Sequence, residues 1–326
     1  MSDSEFDLIG RYFAGGSIAR ADVVAGIGDD GAVLRVPSQR ELVVSMDTLV
    51  AGIHFAHESD PESIGYKALA VNLSDMAAMG AEPAWAMLSL TIPEVNHDWL
   101  RAFSRGFFDL ADRFNVQLVG GDTCRGPLAI TVQVHGFVSE GHYLRRDTAR
   151  PGELIYVTGE LGDAGCAMLI NQRMFPVEGQ DIKYLSSRLD RPIPRVKEGL
   201  NLLGVACSAI DVSDGLAADL GHILAASRVG ATLYIDRVPL SPAFISCRDK
   251  MNSDNSWIDL AIAYGDDYEL CFTIDAHDRD KLQQCLSGIR YTCIGEITSS
   301  AGLRCLLGNG DEYIPQSGGF DHFAGL

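Results

Sequence analysis

Aspartate recurs beside glycine and at the ends of strand-like runs: Asp29 and Asp30 in GIGDDG, Asp47 in SMDT, Asp122 in GGDT, Asp211 and Asp214 in DVSDG. Asp75 adds a carboxylate inside the otherwise apolar run ALAVNLSDMAAM. One Asp-Gly is first of all a turn signal. Strand ends in open α/β sheets are nevertheless where ligands collect, and glycine beside an acid lets a bulky ligand approach closely. If these carboxylates converge, each pair near 4 Å repels by roughly 4 kcal/mol at an effective dielectric near 20, enough to force protonation unless cations neutralise them. All-oxygen ligands suit Mg²⁺ better than zinc. Several Mg²⁺ ions would also bridge an acidic site to the anionic oxygens of a nucleotide polyphosphate.

GIGDDG itself matches the dinucleotide fingerprint G-x-G-x-x-G, whose chemistry needs bare N–H groups and a helix aimed at the pyrophosphate. After Gly31 the chain reads AVLRVPSQR, where Val33, Val36 and Pro37 oppose a helix. Asp47 mimics the acid expected on the ribose, so the fingerprint deceives in two places. No Walker, kinase H-R-D, H-E-x-x-H, G-x-S-x-G or EF-hand motif occurs, and no nucleophile–base pair stands out.

The elements that must position these acids have ample material. The 326 residues are 47% hydrophobic and 21% charged, which points to two domains. Lys and Arg total 26 against 44 Asp and Glu, a net charge of -18 that argues against nucleic acid or anionic lipid as a partner. The eight cysteines are scattered singly without a C-x-x-C pair, and are expected to be reduced and mostly buried. The opening MSDSEFDLIGRYFAGG lacks the basic and apolar regions of a secretory signal, and Asp75, Glu82 and Pro83 cut the most apolar stretch. A soluble, cytoplasmic protein with no membrane partner is expected.

Strand-like runs at 23–27 and 41–47 flank a polar turn at 37–40, and a helix is expected over 61–81 from Ile64, Ala68, Leu69, Leu73 and Met76. A second helix is expected over 98–114, followed by strands at 116–121 and 130–138. The charged RRDTARPGE places a domain boundary between residues 149 and 150. Beyond it, helices are expected over 163–171 and 216–226, and strands in LIYVTG, YELCFTI, YTCIGEI and GLRCLLG.

GIGDD, SMDTLVAGIHF, YKALAVNLSDMAAMGAEP, GGDTCRGP, AIDVSDGLAADLGHI and YGDDYEL, in this order over nearly the whole chain, resemble the thiamine-monophosphate kinases. That family lies within the ATP-binding superfamily of aminoimidazole ribonucleotide synthetase and selenophosphate synthetase. The resemblance implies two mixed α/β (α+β) domains. Residues 1–149 would form an N-terminal sheet domain with the metal and ATP-phosphate site and the homodimer interface; 150–326 would complete the ATP and substrate site. It implies Mg²⁺ ligands at Asp30, Ser45, Asp47, Asp75, Asp122, Asp211 and Asp214, and ATP contacts at Gly121, Asp122, Arg146 and Ser213. His54 matches a substrate-contacting position.

Two departures fall at the thiamine end. The family commonly reads Gly-Gly-Glu-Asp-Tyr-Glu-Leu where this chain has Asp266, and Trp or Tyr where Phe320 precedes Asp321-His322-Phe323. An acid and an aromatic face would both still favour a cationic thiazolium. The implied reaction moves the γ-phosphoryl of ATP directly to thiamine phosphate, whose acceptor oxygen is already anionic, so no side chain need act as base.

Plainer roles compete at single positions. Asp30, Asp122 and Asp214 also suit turns or helix caps, and Ser213 an N-cap. His54 also suits an ordinary hydrogen-bonded site, Arg146 a linker salt bridge, Phe320 a core anchor, and Asp29 a turn or a support for Asp30. An enzyme of the same superfamily with another acceptor, or a nucleotide or cation sensor without turnover, are the competing functions.

Overall fold

The structure, a computed structural model, describes residues 4–172, 179–249, 256–315, 318–320 and 322–323. The chain divides into two compact units, Met1–Met76 with Ala81–His142, and Ala77–Gly80 with Tyr143–Leu326.

The first unit runs α1 (Glu5–Tyr12), β1 (Val23–Ala25), β2 (Val33–Leu34), β3 (Arg40–Val50), α2 (Pro61–Ala78), β4 (Glu82–Ile92), α3 (His97–Arg113), β5 (Gln117–Arg125) and β6 (Ala129–Ser139). Strands β1 and β2 form an antiparallel ribbon, and the others a sheet in the order β3-β6-β4-β5, antiparallel except for β4 with β5. β3 pairs with β6 from Arg40↔Ser139 to Val50↔Ala129, a ladder that the short β1 could not supply. Strand β4 was not expected, because Glu82-Pro83 reads as a break. Pro83 sits beside a register shift against β6, where a missing N–H is tolerated.

Helices α2 and α3 match their expected spans to within three residues. They cross at glycines, since a Cβ on Gly65 would lie 2.0 Å from the Phe103 carbonyl oxygen, and one on Gly106 would lie 1.8 Å from that of Glu62. The close approach buries Leu69, Leu73, Met76, Phe103 and Phe107 completely. Asn96 starts α3 by accepting from the N–H groups of Asp98 and Trp99.

The second unit contains β7 (Leu154–Thr158), α4 (Asp163–Asn171), α5 (Gln180–Asp190), α6 (Val196–Leu202), β8 (Ser208–Asp211), α7 (Leu216–Ser227), β9 (Gly230–Tyr234), α8 (Pro242–Arg248), α9 (Ser256–Ile262), β10 (Leu270–Ile274), α10 (Arg279–Cys285), β11 (Tyr291–Thr298), β12 (Gly302–Leu306) and β13 (Glu312–Tyr313). Its sheet runs β13-β12-β9-β11-β7-β10-β8, with only β12 and β9 parallel. Strand β10 is buried along its whole length. Ile155, Val157, Leu216, Leu220, Ile223 and Phe244 share one core. The mixed α/β class expected from the sequence is what the two units display.

None of the eight cysteines forms a disulfide; Cys166, Cys247, Cys271 and Cys305 are buried and Cys124 is exposed. Among the described residues, no helix is long and apolar enough to cross a membrane.

Candidate active site

Along β3 the side chains alternate, so Val43, Ser45 and Asp47 share one face and Leu42, Val44 and Met46 the other. The first face meets α2. Ser45 Oγ donates to Asp75 Oδ2 at 2.5 Å, and the Asp47 N–H donates to Asn72 Oδ1 at 3.2 Å. Asn72 and Asp75, three residues apart, lie on one side of their helix and so reach residues two apart on the strand. Ser45 and Asp75 are thereby brought into contact and Asp47 is tied to the same helix through its backbone N–H, while Asp75 is half-buried among the apolar residues of α2. The donors are carboxylate and hydroxyl oxygens, a set that fits a hard divalent cation such as Mg²⁺.

Asp30 and Asp122 are exposed and line a cavity of about 470 Å³ with Gly28, Gly121, Ile9 of α1 and Phe13 just after it. GIGDDG leads into the short strand β2, so no helix N-terminus follows it and the dinucleotide fingerprint is coincidental. The Asp30 N–H donates to Asp29 Oδ1 at 3.1 Å, which gives Asp29 a part in shaping the turn. Asp47 and Asp122 were expected at strand ends, but both lie within strands, because β3 and β5 run on beyond the apolar residues that signalled them. Beside Asp122, Gly121 has φ +152, and a Cβ there would lie 1.8 Å from the Leu88 carbonyl oxygen.

In the second unit, Asp211 ends β8 and is 3% exposed. The turn after it opens α7, ordinarily a ready anion site. Here Asp219 Oδ2 accepts from the N–H groups of Ser213, Asp214 and Gly215 at 2.9, 3.0 and 3.2 Å. Ser213 is therefore not the N-cap; Gly215 holds that position without a side-chain cap. The start of α4 is filled in the same way, with the Gly162 N–H shared by both carboxylate oxygens of Asp267 at 3.0 and 2.9 Å. Burial pushes Asp219 up to about 7, with the Asp214 charge adding to it, and raises Asp267 well above the usual carboxylate range. The N–H groups at these two helix starts already donate to the protein's own carboxyl groups, so they are not open to a phosphate.

Backbone hydrogen bonds draw the remaining motifs of this unit together. The Asp266 N–H donates to the Ser213 carbonyl at 2.8 Å, and the Phe320 N–H to that of Asp214 at 3.0 Å. Phe320 is 48% exposed, which excludes a core anchor, and its ring meets His322 edge-on at 4.8 Å. Asp321 lies outside the described residues. Arg146 is exposed, and its carbonyl accepts from Ser227 Oγ at 2.9 Å. The linker ion pair belongs instead to its neighbour Arg145, with Asp147 at 2.6 Å. In the first unit, His54 Nδ1 accepts from the Val50 N–H at 3.0 Å, which leaves the proton on Nε2.

Sequence reasoning missed a buried charge network behind YGDDYEL. Glu269, fully buried, accepts from Thr158 Oγ1, from Arg188 Nη2 and from Arg195 Nε and Nη2, at 2.6 to 2.7 Å. Burial alone would lower both guanidinium pKa values, but Glu269 outweighs it and raises them. Asp163 borders the network; Ser241 Oγ donates to its Oδ1 at 2.5 Å, and its Oδ2 lies 3.6 Å from Arg188 Nε.

Burial pushes Asp163 up to about 6, against the Ser241 hydrogen bond and the Arg188 charge. The folded state then holds this proton more tightly than the unfolded chain, whose value is near 3.8, so the stabilisation present below about pH 4 is lost as pH rises to about 6. Relative to Asp163→Asn, the wild type should lose about 3 kcal/mol of unfolding free energy over that interval in urea titrations. Parallel curves for the two proteins would contradict the assignment.

Among the described residues, no three His, Cys, Asp or Glu side chains close into a metal-binding group. Asp75 accepts from Ser45, and Asp219 from backbone N–H groups.

The sequence profiles of the AIR synthase related protein N-terminal and C-terminal domains match residues 28–138 and 150–307. Fold and acid-lined site thus define an AIR synthase related protein, and within that class the chain belongs to the thiamine-monophosphate kinases. It is 46% identical over 327 residues to thiamine-monophosphate kinase of Escherichia coli (strain K12), with 99% of each chain covered. The crystal structure of thiamine-monophosphate kinase from Stenotrophomonas maltophilia K279a superposes with a TM-score of 0.82 at 46% identity, over 88% of this chain and 92% of that one. AaThiL complexed with AMPPCP and TMP gives 0.78 at 28% identity, over 91% and 92%.

Proposed function

We propose that this chain transfers the γ-phosphoryl group of ATP to thiamine phosphate, giving thiamine diphosphate and ADP, with Mg²⁺ required. The observation that carries the reading is the pairing of an all-oxygen acid set on β3 and α2 with helix starts already filled by Asp219 and Asp267. A polyphosphate gains little from these helix ends and needs cations held by carboxylates. The AMPPCP and TMP complex of AaThiL supports ATP and thiamine phosphate as the two substrates.

Asp30, Ser45, Asp47, Asp75, Asp122, Asp211 and Asp214 would hold Mg²⁺, which when bound neutralises phosphate charge. Gly121, Asp122, Arg146 and Ser213 would meet ATP, and the cavity beside Gly121 and Asp30 has a volume in the ligand-pocket range. His54, Asp266 and Phe320 would meet thiamine phosphate. An oxygen of its phosphate attacks the γ-phosphorus as the bond to the β–γ bridging oxygen breaks, and ADP leaves. No proton need be removed first, which accords with a site built from acids without a paired nucleophile and base. The functional domains on this reading are 1–149 and 150–326. A coupled assay should register ADP only when ATP, Mg²⁺ and thiamine phosphate are all present, with thiamine and water inert as acceptors. ATP binding without thiamine phosphate-dependent turnover would favour a sensor.

The chain is further assigned to a homodimer joined through β3. Leu42, Val44 and Met46 stand 42%, 46% and 61% exposed on its outward face, an apolar row on an edge strand that a second copy would cover. Val44→Asp combined with Met46→Asp should convert a dimer to a monomer in light scattering, at an expected cost of several kcal/mol in association. A dimer that survives both charges rules out this face. A cytoplasmic site of action agrees with the ATP requirement and with eight cysteines that form no disulfide.

A further inference from the structure

Two residues of YGDDYEL hold backbone conformations that side chains rarely adopt. Asp266 has φ +70 and Tyr268 has φ +50. Asp tolerates the left-handed region comparatively well, whereas for a bulky aromatic it is a true outlier. Such strain persists only where the surroundings over-determine it, and it concentrates at functional sites.

The surroundings here are explicit. Between the two strained residues, Asp267 is pinned to the Gly162 N–H, and immediately after them Glu269 is held by Thr158, Arg188 and Arg195. The backbone is laced to the DVSDG turn by Asp266 N–H to Ser213 O, Tyr268 N–H to Val212 O and Val212 N–H to Glu269 O, each 2.8 Å. Held in this way, the Tyr268 ring is 8% exposed and its hydroxyl donates to Asp266 Oδ1 at 3.0 Å. The fold maintains a costly tyrosine conformation, and one result is a fixed orientation for the half-buried carboxylate two residues earlier.

We propose that Tyr268 is a positioning residue for substrate selection, whose hydroxyl aims the Asp266 carboxylate at the cationic thiazolium ring of thiamine phosphate. The inference rests on the reading of Asp266 as a substrate contact. A carboxylate free to rotate would spend much of its time directed at water, whereas one held by a phenol donor meets the cation without further loss of rotamer freedom. Tyr268 then governs affinity for thiamine phosphate and leaves the ATP half of the reaction alone.

Tyr268→Phe keeps the ring and removes only the donor. It should raise KM for thiamine phosphate about tenfold, the scale of a hydrogen bond to a charged group, with kcat and KM for ATP within about twofold of wild type. Calorimetric binding of thiamine phosphate without nucleotide should weaken by the same factor, with the thermal midpoint unchanged. Asp266→Asn should weaken binding at least as much, and the double variant Y268F/D266N should be no worse than D266N alone.

An unchanged KM in Y268F beside a raised one in D266N would overturn the role of Tyr268 and leave the reading of Asp266 standing. An unchanged KM in D266N would remove Asp266 from the substrate site, and the role of Tyr268 with it. Additive losses in the double variant, or a parallel fall in thermal midpoint and ATP affinity in Y268F, would show Tyr268 to be structural.

Discussion

Asp75→Asn should slow turnover more than about 100-fold, a loss of roughly 3 kcal/mol of transition-state stabilisation, with the fold left standing. Asn keeps the shape of the side chain and an acceptor for Ser45 Oγ, which donates to Asp75 Oδ2 at 2.5 Å. What disappears is the negative charge, set among Leu73, Met76 and Ala77, which are fully buried. A carboxylate in such surroundings needs a reason to be ionised, and a bound cation supplies one. Asp211→Asn, at the buried end of β8, should lose a comparable factor. ADP release and thermal melting measured on the same preparations separate lost chemistry from lost folding. Near-wild-type kcat in either variant would take that residue out of the metal site.

Glu269→Ala carries the largest expected effect on stability. It leaves Arg188 and Arg195 in the interior, with Asp163 at 3.6 Å and Glu198 at 3.7 Å as their remaining ion-pair partners among the described residues. Breaking one side of a buried ion cluster costs about 3 to 5 kcal/mol, because the surviving charges lose their compensation. For a chain of this size that lowers the thermal midpoint by roughly 10 °C. Replacing Glu269 and Arg188 together by Leu and Met should recover part of the loss, because fewer unpaired charges are then buried. A Glu269→Ala protein that melts with the wild type would mean that water reaches the cluster and solvates the arginines.

Much of the acid set could be read from the sequence. Glycine beside aspartate, and Asp75 within an apolar helical pattern, are local signals; α3 shows its apolar face openly, whereas α2 is apolar and buried nearly all round. Ser45 came from resemblance alone; its pairing with Asp75 depends on β3 lying against α2, a contact across 30 positions that no local pattern encodes. Strand β4 was hidden because Pro83 is read as a break unless the bulge that accommodates it is known. Asp219 offers a retrospective signal, an acid a few residues past DVSDG, where it can fold back onto the turn. Glu269 offers none, for its arginines lie 81 and 74 residues away. The left-handed Asp266 and Tyr268 are equally silent, since side-chain propensity predicts the opposite conformation there.

The fingerprint GIGDDG shows why a motif needs its context. Its glycines line a cavity with Asp30, but the next element is a strand, and the starts of α4 and α7 are closed by internal carboxyl groups. Phosphoryl transfer is therefore expected to run by position and charge neutralisation, with no phosphorylated protein side chain between the two substrates. Stereochemistry at a chiral γ-phosphorus of ATP tests this most directly. One in-line displacement gives thiamine diphosphate with inverted configuration; net retention, the mark of two successive displacements through a phosphoenzyme, would contradict it.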